Sequence, residues 1–419
     1  MAMPRPLSGR CNKTEGFLQE NIMGTRGIYA CADRIRNVPF SPVRKVMERA
    51  NAIGALGNKM VFFQIGEPDF TTPQPIVNAT VAALQQNRTH YAPNRGVLAL
   101  RAAISRDIAS KTGITYDPET EILVTVGGAE ALNNAVMAFI NPGDEVIVFT
   151  PAFMNYASLV EMAGGTLVPI PLRKENQLQL DPDEVRRNIT AKTRMIIVNN
   201  PSNPTGVVYH KDKLEQLAEI AVEHDLLVLS DEIYDEIVYD GEECVSITAF
   251  PGMRERTILM NGFSKAYAMT GWRLAYLAAD ERMVPHLLKV HQYETTCAPT
   301  FIQDGVAKAM ELPETKAAKT EMVAAFARRR RLLLDGLRAI PKLAFAEPRG
   351  AFYLLLDVSG TGLSGEAFAT RLLEEKHVAT VPGVGFAPDC VDYVRISFAV
   401  SEDDIRLGLA RISEFVASL

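Results

Sequence analysis

Histidine is scarce in this chain: six in 419 residues (His90, His210, His224, His286, His291 and His377), none in a metal-binding or nucleophile-activating pattern. That weakens Ser-His catalysis and HExxH-type zinc chemistry from the outset. The five cysteines are an odd number, far apart and without a CxxC pair, which argues against a zinc cage or a disulfide frame and for reduced thiols. No apolar run approaches the roughly 18 residues of a membrane helix. The first 27 residues hold no continuous apolar stretch, so no signal peptide is expected and the expected address is the cytoplasm. Basic excess is missing too. With 44 Lys and Arg against 50 Asp and Glu, the net charge is −6, which disfavours a nucleic-acid binder or a polybasic membrane anchor. The 28 glycines and 24 prolines show no period, so collagen-like and low-complexity readings fail.

What is present is ordinary globular composition, 47% apolar and 22% charged, in a chain long enough to bury a large core. Residues 1–27 are polar, broken by Pro and Gly, and read as an N-terminal extension. Between about 120 and 280, short apolar runs alternate with amphipathic stretches. The runs are EILVTV (121–126), DEVIVF (144–149), TLVPIPL (166–172), TRMIIV (193–198), LLVLSDE (226–232), TILMNG (257–262) and RLAYLAA (273–279). Most are nearly continuous in Val, Ile and Leu, as buried sheet strands are, and KDKLEQLAEIAVEHD (211–225) reads as a helix between two of them. Strand and helix in alternation predict an α/β sheet, mostly parallel. After about 285 come long helical stretches, short strands in GAFYLLLDV and DYVRISFAV, and a last helix. That predicts a second, smaller α+β domain. The run ARRRRLLLDGL (327–337) reads as a solvated helix face.

In an open α/β sheet, ligands bind beyond the carboxyl ends of the strands, so the residues just after each run are informative. After EILVTV, Gly127-Gly128-Ala129-Glu130 opens a helix; it suits an anion on free backbone N–H groups, and equally suits a plain turn. Its spacing is neither GxGxxG nor a Walker loop. After TRMIIV, Asn199-Asn200-Pro201-Ser202-Asn203-Pro204-Thr205-Gly206 is a sharply turned loop, either a connection or a rigid mount for Asn203. After LLVLS, Asp231 is an acid at a strand end, costly to bury without a cation, whereas Glu232, Asp235 and Glu236 read as solvated charges. A glycosidase carboxylate pair is disfavoured, because the neighbouring loops do not suit a sugar cleft. After TILMNG, Lys265 stands between Ser264 and aromatic residues, where desolvation makes an amine nucleophilic. Gly262-Phe263-Ser264-Lys265-Ala266 approaches GxSxG but ends in Ala. An amine nucleophile, an acid, an anion-binding turn and no metal ligands fit pyridoxal 5′-phosphate, which takes a Lys for its aldehyde, an acid for its ring nitrogen and a site for its phosphate.

Together with Gln64-Ile65-Gly66-Glu67-Pro68-Asp69-Phe70, Gly271-Trp272-Arg273 and Val394-Arg395-Ile396-Ser397, these motifs make the sequence resemble fold-type I aminotransferases of class I/II, in the bacterial aspartate and aromatic branch, over nearly the whole chain. The resemblance implies a homodimer and a large pyridoxal-phosphate-binding domain (76–300) on a mostly parallel mixed sheet flanked by helices. It adds a smaller α+β domain made from 28–75 and 301–419. It implies that Lys265 is the Schiff-base lysine and Asp231 the partner of the pyridinium nitrogen. Tyr234 and Asn203 fall where the family holds the cofactor's phenolate oxygen, and Phe153 where it stacks an aromatic ring. Arg273 falls at the phosphate with the turn Gly128-Ala129-Glu130, Ser264 among the cofactor-binding positions, and Tyr91 where a loop reaches the neighbouring subunit's phosphate. Arg395 resembles the fork for the substrate α-carboxylate, with Gly66 and Asn203 beside the substrate, and no metal is implied. Two positions depart from many relatives: Gly262 stands where they carry Ser, and Ala129 and Glu130 where some carry Ser or Thr.

The resemblance implies transfer of an amino group between an L-α-amino acid and a 2-oxo acid, both small molecules. A β-lyase or decarboxylase on the same cofactor is the nearest alternative, and a non-catalytic pyridoxal-phosphate-binding module a more distant one, disfavoured by the lack of a basic helix-turn-helix segment. No arginine is assignable to a distal substrate carboxylate. The apolar segment Pro39-Phe40-Ser41-Pro42-Val43 leans toward aromatic or broad specificity.

Overall fold

The structure, a computed structural model, describes residues 30–419; the expected extension 1–27 lies outside the described residues. The described residues hold thirteen strands. In chain order they are β1 (Val61–Phe62), β2 (Ile122–Thr125), β3 (Glu145–Thr150), β4 (Thr166–Pro171), β5 (Thr193–Asn199), β6 (Leu227–Asp231), β7 (Thr257–Gly262) and β8 (Ala275–Ala278), then β9 (Ala344–Phe345), β10 (Tyr353–Asp357), β11 (Val378–Ala379), β12 (Val381–Pro382) and β13 (Tyr393–Ser397). All seven apolar runs of the middle region become strands of one sheet, in the order β2-β8-β7-β6-β5-β3-β4. Most of their residues are buried, because helices cover both faces of the sheet, and continuous Val, Ile and Leu is the sequence of a strand with no wet face.

Strand direction decides where chemistry can gather. β3, β4, β5, β6 and β7 run parallel, and β8 alone is antiparallel, to both β7 and β2. Since β2 and β7 both oppose β8, they point the same way. The carboxyl ends of β2, β3, β5, β6 and β7 therefore share one edge, and so does the amino end of β8. Ala275 lies in register with Thr125 on one side and Gly262 on the other. That register sets Arg273 between the Gly127 turn and the Lys265 turn. It also explains Gly262: a Cβ there would stand 2.7 Å from the Ala275 Cβ, so no serine fits.

The last third forms an antiparallel four-stranded sheet, β12-β13-β10-β9, while β1 pairs with β11 in parallel. β10 packs on the loop after β5 through Gly206, which has φ +71° and a site where any Cβ would strike the Tyr353 carbonyl. Residues 39–419 form one compact unit. Among the described residues, no helix is long and apolar enough to cross a membrane.

The arginine run is only in part the solvated face its composition suggested: Arg328 and Arg331 are exposed, Arg330 is not. The run lies in the helix Pro313–Arg338, whose buried stripe is Met322, Phe326, Arg330, Leu333, Leu334 and Leu337. Helical spacing drops Arg330 into that stripe, 2% exposed, where it pairs with Asp240 and Glu347 at 2.7 Å each. Nε donates to the Pro348 carbonyl at 2.5 Å. Replacing Arg330 with Ala removes the shared cation of two carboxylates and leaves a void. The expected loss is about 3 kcal/mol in urea unfolding; a midpoint equal to wild type would show the pair to be energetically idle.

Candidate active site

At the shared sheet edge, Lys265 follows β7 in a turn held by two non-glycine residues with left-handed backbone, Ala268 (φ 49°) and Arg273 (φ 55°). Such residues cost of order 1 kcal/mol or more each and cluster where geometry is functional. Ser264 is buried, and its carbonyl accepts from the Met269 N–H at 3.1 Å, closing the turn. The Lys265 ammonium donates to the Gly66 carbonyl at 2.5 Å. Burial lowers its pKa from 10.5 to about 8, aided by the Arg395 and Arg273 charges and opposed by Glu67 and Asp231.

Asp231 ends β6, 3% exposed. Burial raises its carboxyl to about 6, against the Tyr156 hydroxyl donating to Oδ2 at 2.6 Å and the Ile233 N–H donating to Oδ1 at 3.2 Å. Among the described residues, no Lys, Arg or His forms an ion pair with it. Phe153, after β3, meets the Tyr156 ring edge-on at 5.8 Å. The Tyr234 and Tyr353 hydroxyls are hydrogen-bonded at 2.9 Å, and burial pushes the Tyr234 hydroxyl well up.

Arg395 is central in β13 and 3% exposed, yet among the described residues it too pairs with no carboxylate. Nη1 donates to Asn203 Oδ1 at 3.1 Å and Nη2 to the Gln64 carbonyl at 2.7 Å, while Nε has no partner there. Tyr353 and Phe386 face the guanidinium at 4.6 and 5.0 Å. Asn203 is itself fixed by its backbone N–H on Asn199 Oδ1 at 2.8 Å, and the Asn199 amide donates to the Asp231 carbonyl at 3.0 Å. The loop after β5 is thus a rigid mount, tied to both the acid and the arginine.

The turn after β2 has Gly127 at φ +80°, a conformation only glycine takes readily. The Arg273 guanidinium lies where a Cβ of Gly127 would stand. The first intrahelical bond of Gly128–Phe139 runs from the Ala131 N–H to the Gly127 carbonyl. That leaves the N–H groups of Gly128, Ala129 and Glu130 directed out of the helix end, beside an exposed Arg273. The Glu130 carboxylate turns away, into bonds with the Val126 N–H, Asn134 and His291. What Glu130 offers the turn is therefore its backbone.

Tyr91 stands apart from this cluster, 88% exposed, on a loop fixed by Thr300 to the His90 carbonyl (2.6 Å) and Asn94 to the Thr296 carbonyl (2.8 Å). The three acids after Asp231 are not solvated. Glu232 is buried on Ser230 and Ser246, its carboxyl raised to about 7 by burial. Asp235 and Glu236 meet Lys111 at 3.1 and 2.8 Å, and Lys319 also reaches Glu236. The turn folds back under the helix Leu98–Thr112, whose Lys111 supplies the cation. Sequence reasoning missed Tyr156, Tyr353 and Asn199; a tyrosine within the apolar run of β10 was the one available signal.

The sequence pattern of the aminotransferase class I and II family matches residues 58–412. The chain belongs to this family. It is 40% identical over 385 residues to an aromatic-amino-acid aminotransferase of Thermococcus litoralis, covering 92% of this chain and 98% of that one. An aspartate aminotransferase of Pyrococcus abyssi gives the same identity and coverage. The structure of the Thermus thermophilus aspartate aminotransferase with maleate is 39% identical, superposes with a TM-score of 0.88, and matches 93% of this chain and all of that one. The aminotransferase is an enzyme of fold type I and depends on pyridoxal 5′-phosphate. Its residues fit that cofactor on their own chemistry. Among the described residues, a buried acid lacks a cation, a buried arginine lacks an anion, and a glycine turn with three outward N–H groups lies against Arg273.

The lowered pKa is open to direct test. With the cofactor removed, acylation of Lys265 is expected to rise with a midpoint near pH 8, where surface lysines are still protonated. Glu67→Gln removes an anion that favours the ammonium, so it is expected to shift the midpoint lower. A midpoint above 10 would show the amine to be solvated.

Proposed function

We propose that this aminotransferase exchanges amino groups between an L-α-amino acid of aromatic or broad class, aspartate included, and a 2-oxo acid such as 2-oxoglutarate. The observation that carries the reading is Arg395. A buried guanidinium without a carboxylate is costly, and a free Nε edge suits the planar α-carboxylate that all these substrates share. The aromatic flanks of Tyr353 and Phe386 favour side chains with apolar surface, and the relatives' names divide between aromatic and aspartate substrates.

When bound, the cofactor supplies an aldehyde for the amine and a protonated ring that accepts the electron pair released at Cα. Asp231 holds that ring's N–H, with Tyr156 fixing its carboxylate. Lys265, its proton affinity lowered to about 8, would take the proton from the substrate Cα and return it at the cofactor's aldehyde carbon, across the nitrogen. Tyr234 and Asn203 would hydrogen-bond the phenolate oxygen, and Phe153 would cover the ring face. Arg273 and the N–H groups of Gly128, Ala129 and Glu130 would hold the phosphate, with Ser264 buried beside Lys265. Gly66 closes over the substrate.

The seven-stranded sheet lies wholly within 76–300 and the smaller sheets outside it, which supports a large cofactor domain and a smaller one from 28–75 and 301–419. An exposed Tyr91 on a pinned loop supports a homodimer in which that hydroxyl reaches the partner's phosphate. The cytoplasm is the proposed compartment, from the cysteine usage.

The test is a panel of amino acids with and without 2-oxoglutarate. Stoichiometric formation of a new 2-oxo acid and glutamate supports transfer; pyruvate and ammonia without an acceptor would instead mark a β-lyase. Lys265→Ala is expected to abolish turnover and Asp231→Asn to slow it by orders of magnitude. Arg395→Lys, which loses the fork, is expected to lower kcat/KM about 100-fold, chiefly through KM. For the shared site, inactive Lys265→Ala and Tyr91→Ala chains are mixed. Recovered activity in hybrid dimers supports it, and none despite proven hybrids counts against it.

A further inference from the structure

Glu130 poses an electrostatic problem that the mechanism does not use. It is the third residue of the helix whose end, on the reading above, receives a phosphate, and a carboxylate facing that phosphate would repel it. The side chain is instead buried, 7% exposed, and satisfied on both oxygens. Oε2 accepts the Val126 N–H, at the last residue before the glycine turn. Oε1 accepts from Asn134 at 2.8 Å and from His291 Nδ1 at 2.6 Å. His291 lies on a different helix, Val284–Glu294, and is wholly buried. Facing a carboxylate, its Nδ1 is the donor. Thr295 Oγ1 also lies 3.2 Å from Nδ1, and the ring's other nitrogen has no partner among the described residues.

Without His291, Oε1 would keep one donor, in a place with little access to water, and the carboxylate would be held away from the helix end by two donors instead of three. Asn134 cannot replace it, since it sits one helical turn along and already donates. The three donors of Glu130 thus tie strand end, helix and neighbouring helix into one joint behind the turn.

We propose that His291 is a positioning residue for the phosphate turn: by gripping Glu130 from behind, it keeps the carboxylate off the phosphate and holds the Val126-Gly127 backbone in its receiving shape. The inference rests on the proposed phosphate placement, so the test separates the two. The full chain is stripped of cofactor and titrated with pyridoxal 5′-phosphate and, in parallel, with pyridoxal, which lacks the phosphate. His291→Leu is expected to raise the Kd for pyridoxal 5′-phosphate about tenfold, the scale of one lost hydrogen bond, and to leave that for pyridoxal unchanged. His291→Asn, whose amide can stand in for Nδ1–H, is expected to restore most of the loss. Glu130→Gln, which meets three donors with one good acceptor, is expected to loosen the phosphorylated ligand as well, and it serves if His291→Leu does not fold. Equal loss of both ligands, no loss of either, or tighter phosphate binding by Glu130→Gln would overturn the proposal. Arg273→Ala is the control. If it leaves the preference for the phosphorylated ligand intact, the phosphate placement is what has failed.

Discussion

Two opposite charges, Asp231 and Arg395, are buried where both act on Lys265, and they do not neutralise each other. Had they met as an ion pair, both charges would be unavailable to any ligand. The backbone keeps them apart: Asp231 ends a strand of the seven-stranded sheet, whereas Arg395 is central in the four-stranded one. A chain of neutral groups spans the gap, from Asp231 to Tyr234 three residues on, from Tyr234 to Tyr353 by their hydroxyls, and from Tyr353 to the Arg395 guanidinium. Each charge is met by neutral dipoles instead, Tyr156 and the Ile233 N–H on one side, Asn203 and the Gln64 carbonyl on the other. Neutral hydrogen bonds ease burial without removing the charge, which is what a site for a zwitterionic substrate and a charged ring requires.

The same arrangement has a signature in proton affinity. Burial raises Asp231 to about 6 and lowers Lys265 to about 8, so each neutral form is favoured relative to the unfolded chain. As pH rises from about 4 to 6, Asp231 loses its proton later in the folded chain than in the unfolded one, and linkage makes stability fall. Between about 8 and 10.5 the folded chain has already released the Lys265 proton, and stability rises with pH. At neutral pH both groups therefore stand charged at a cost to the empty fold. A ligand that offers a cation to Asp231 and takes up the amine of Lys265 removes both costs together, so occupancy and stability are coupled through these two residues.

How much of this was written in the sequence depends on whether the signal was local. The seven strands were legible because a strand buried on both faces cannot be polar, and their boundaries fell within a residue or two. That the candidate residues would gather at one edge was legible because residues after the carboxyl ends of parallel strands share that edge. The direction of β8 was not, since RLAYLAA carries no mark of antiparallel pairing; only the register of Ala275 with Thr125 and Gly262 brings Arg273 to the turn. The charges after Asp231, and Arg330 within the arginine run, were misjudged for a related reason. Local composition made them look solvated, but whether an Arg or Glu is buried depends on partners far along the chain. Arg330 finds Asp240 and Glu347, and Asp235 finds Lys111.

Glu130 shows why residue type alone assigns a role poorly even where position is right. Its place in the turn was expected from the glycines and the resemblance, and its backbone lies in the first turn of the helix that Gly127 opens. Its side chain faces the opposite way, and what decides this is a histidine 161 positions later. Carboxylates are tolerated beside an anion-binding turn only if something else binds them more strongly, and three donors in a buried pocket outmatch one helix end shared with solvent. The acid that would spoil the turn is thereby made part of its support. Sequence departures at such a turn, Ala129 and Glu130 among them, are thus better judged by where the backbone N–H groups point than by the loss of a hydroxyl, because on the proposed placement the backbone and Arg273 supply the donors and the side chains supply the stiffness.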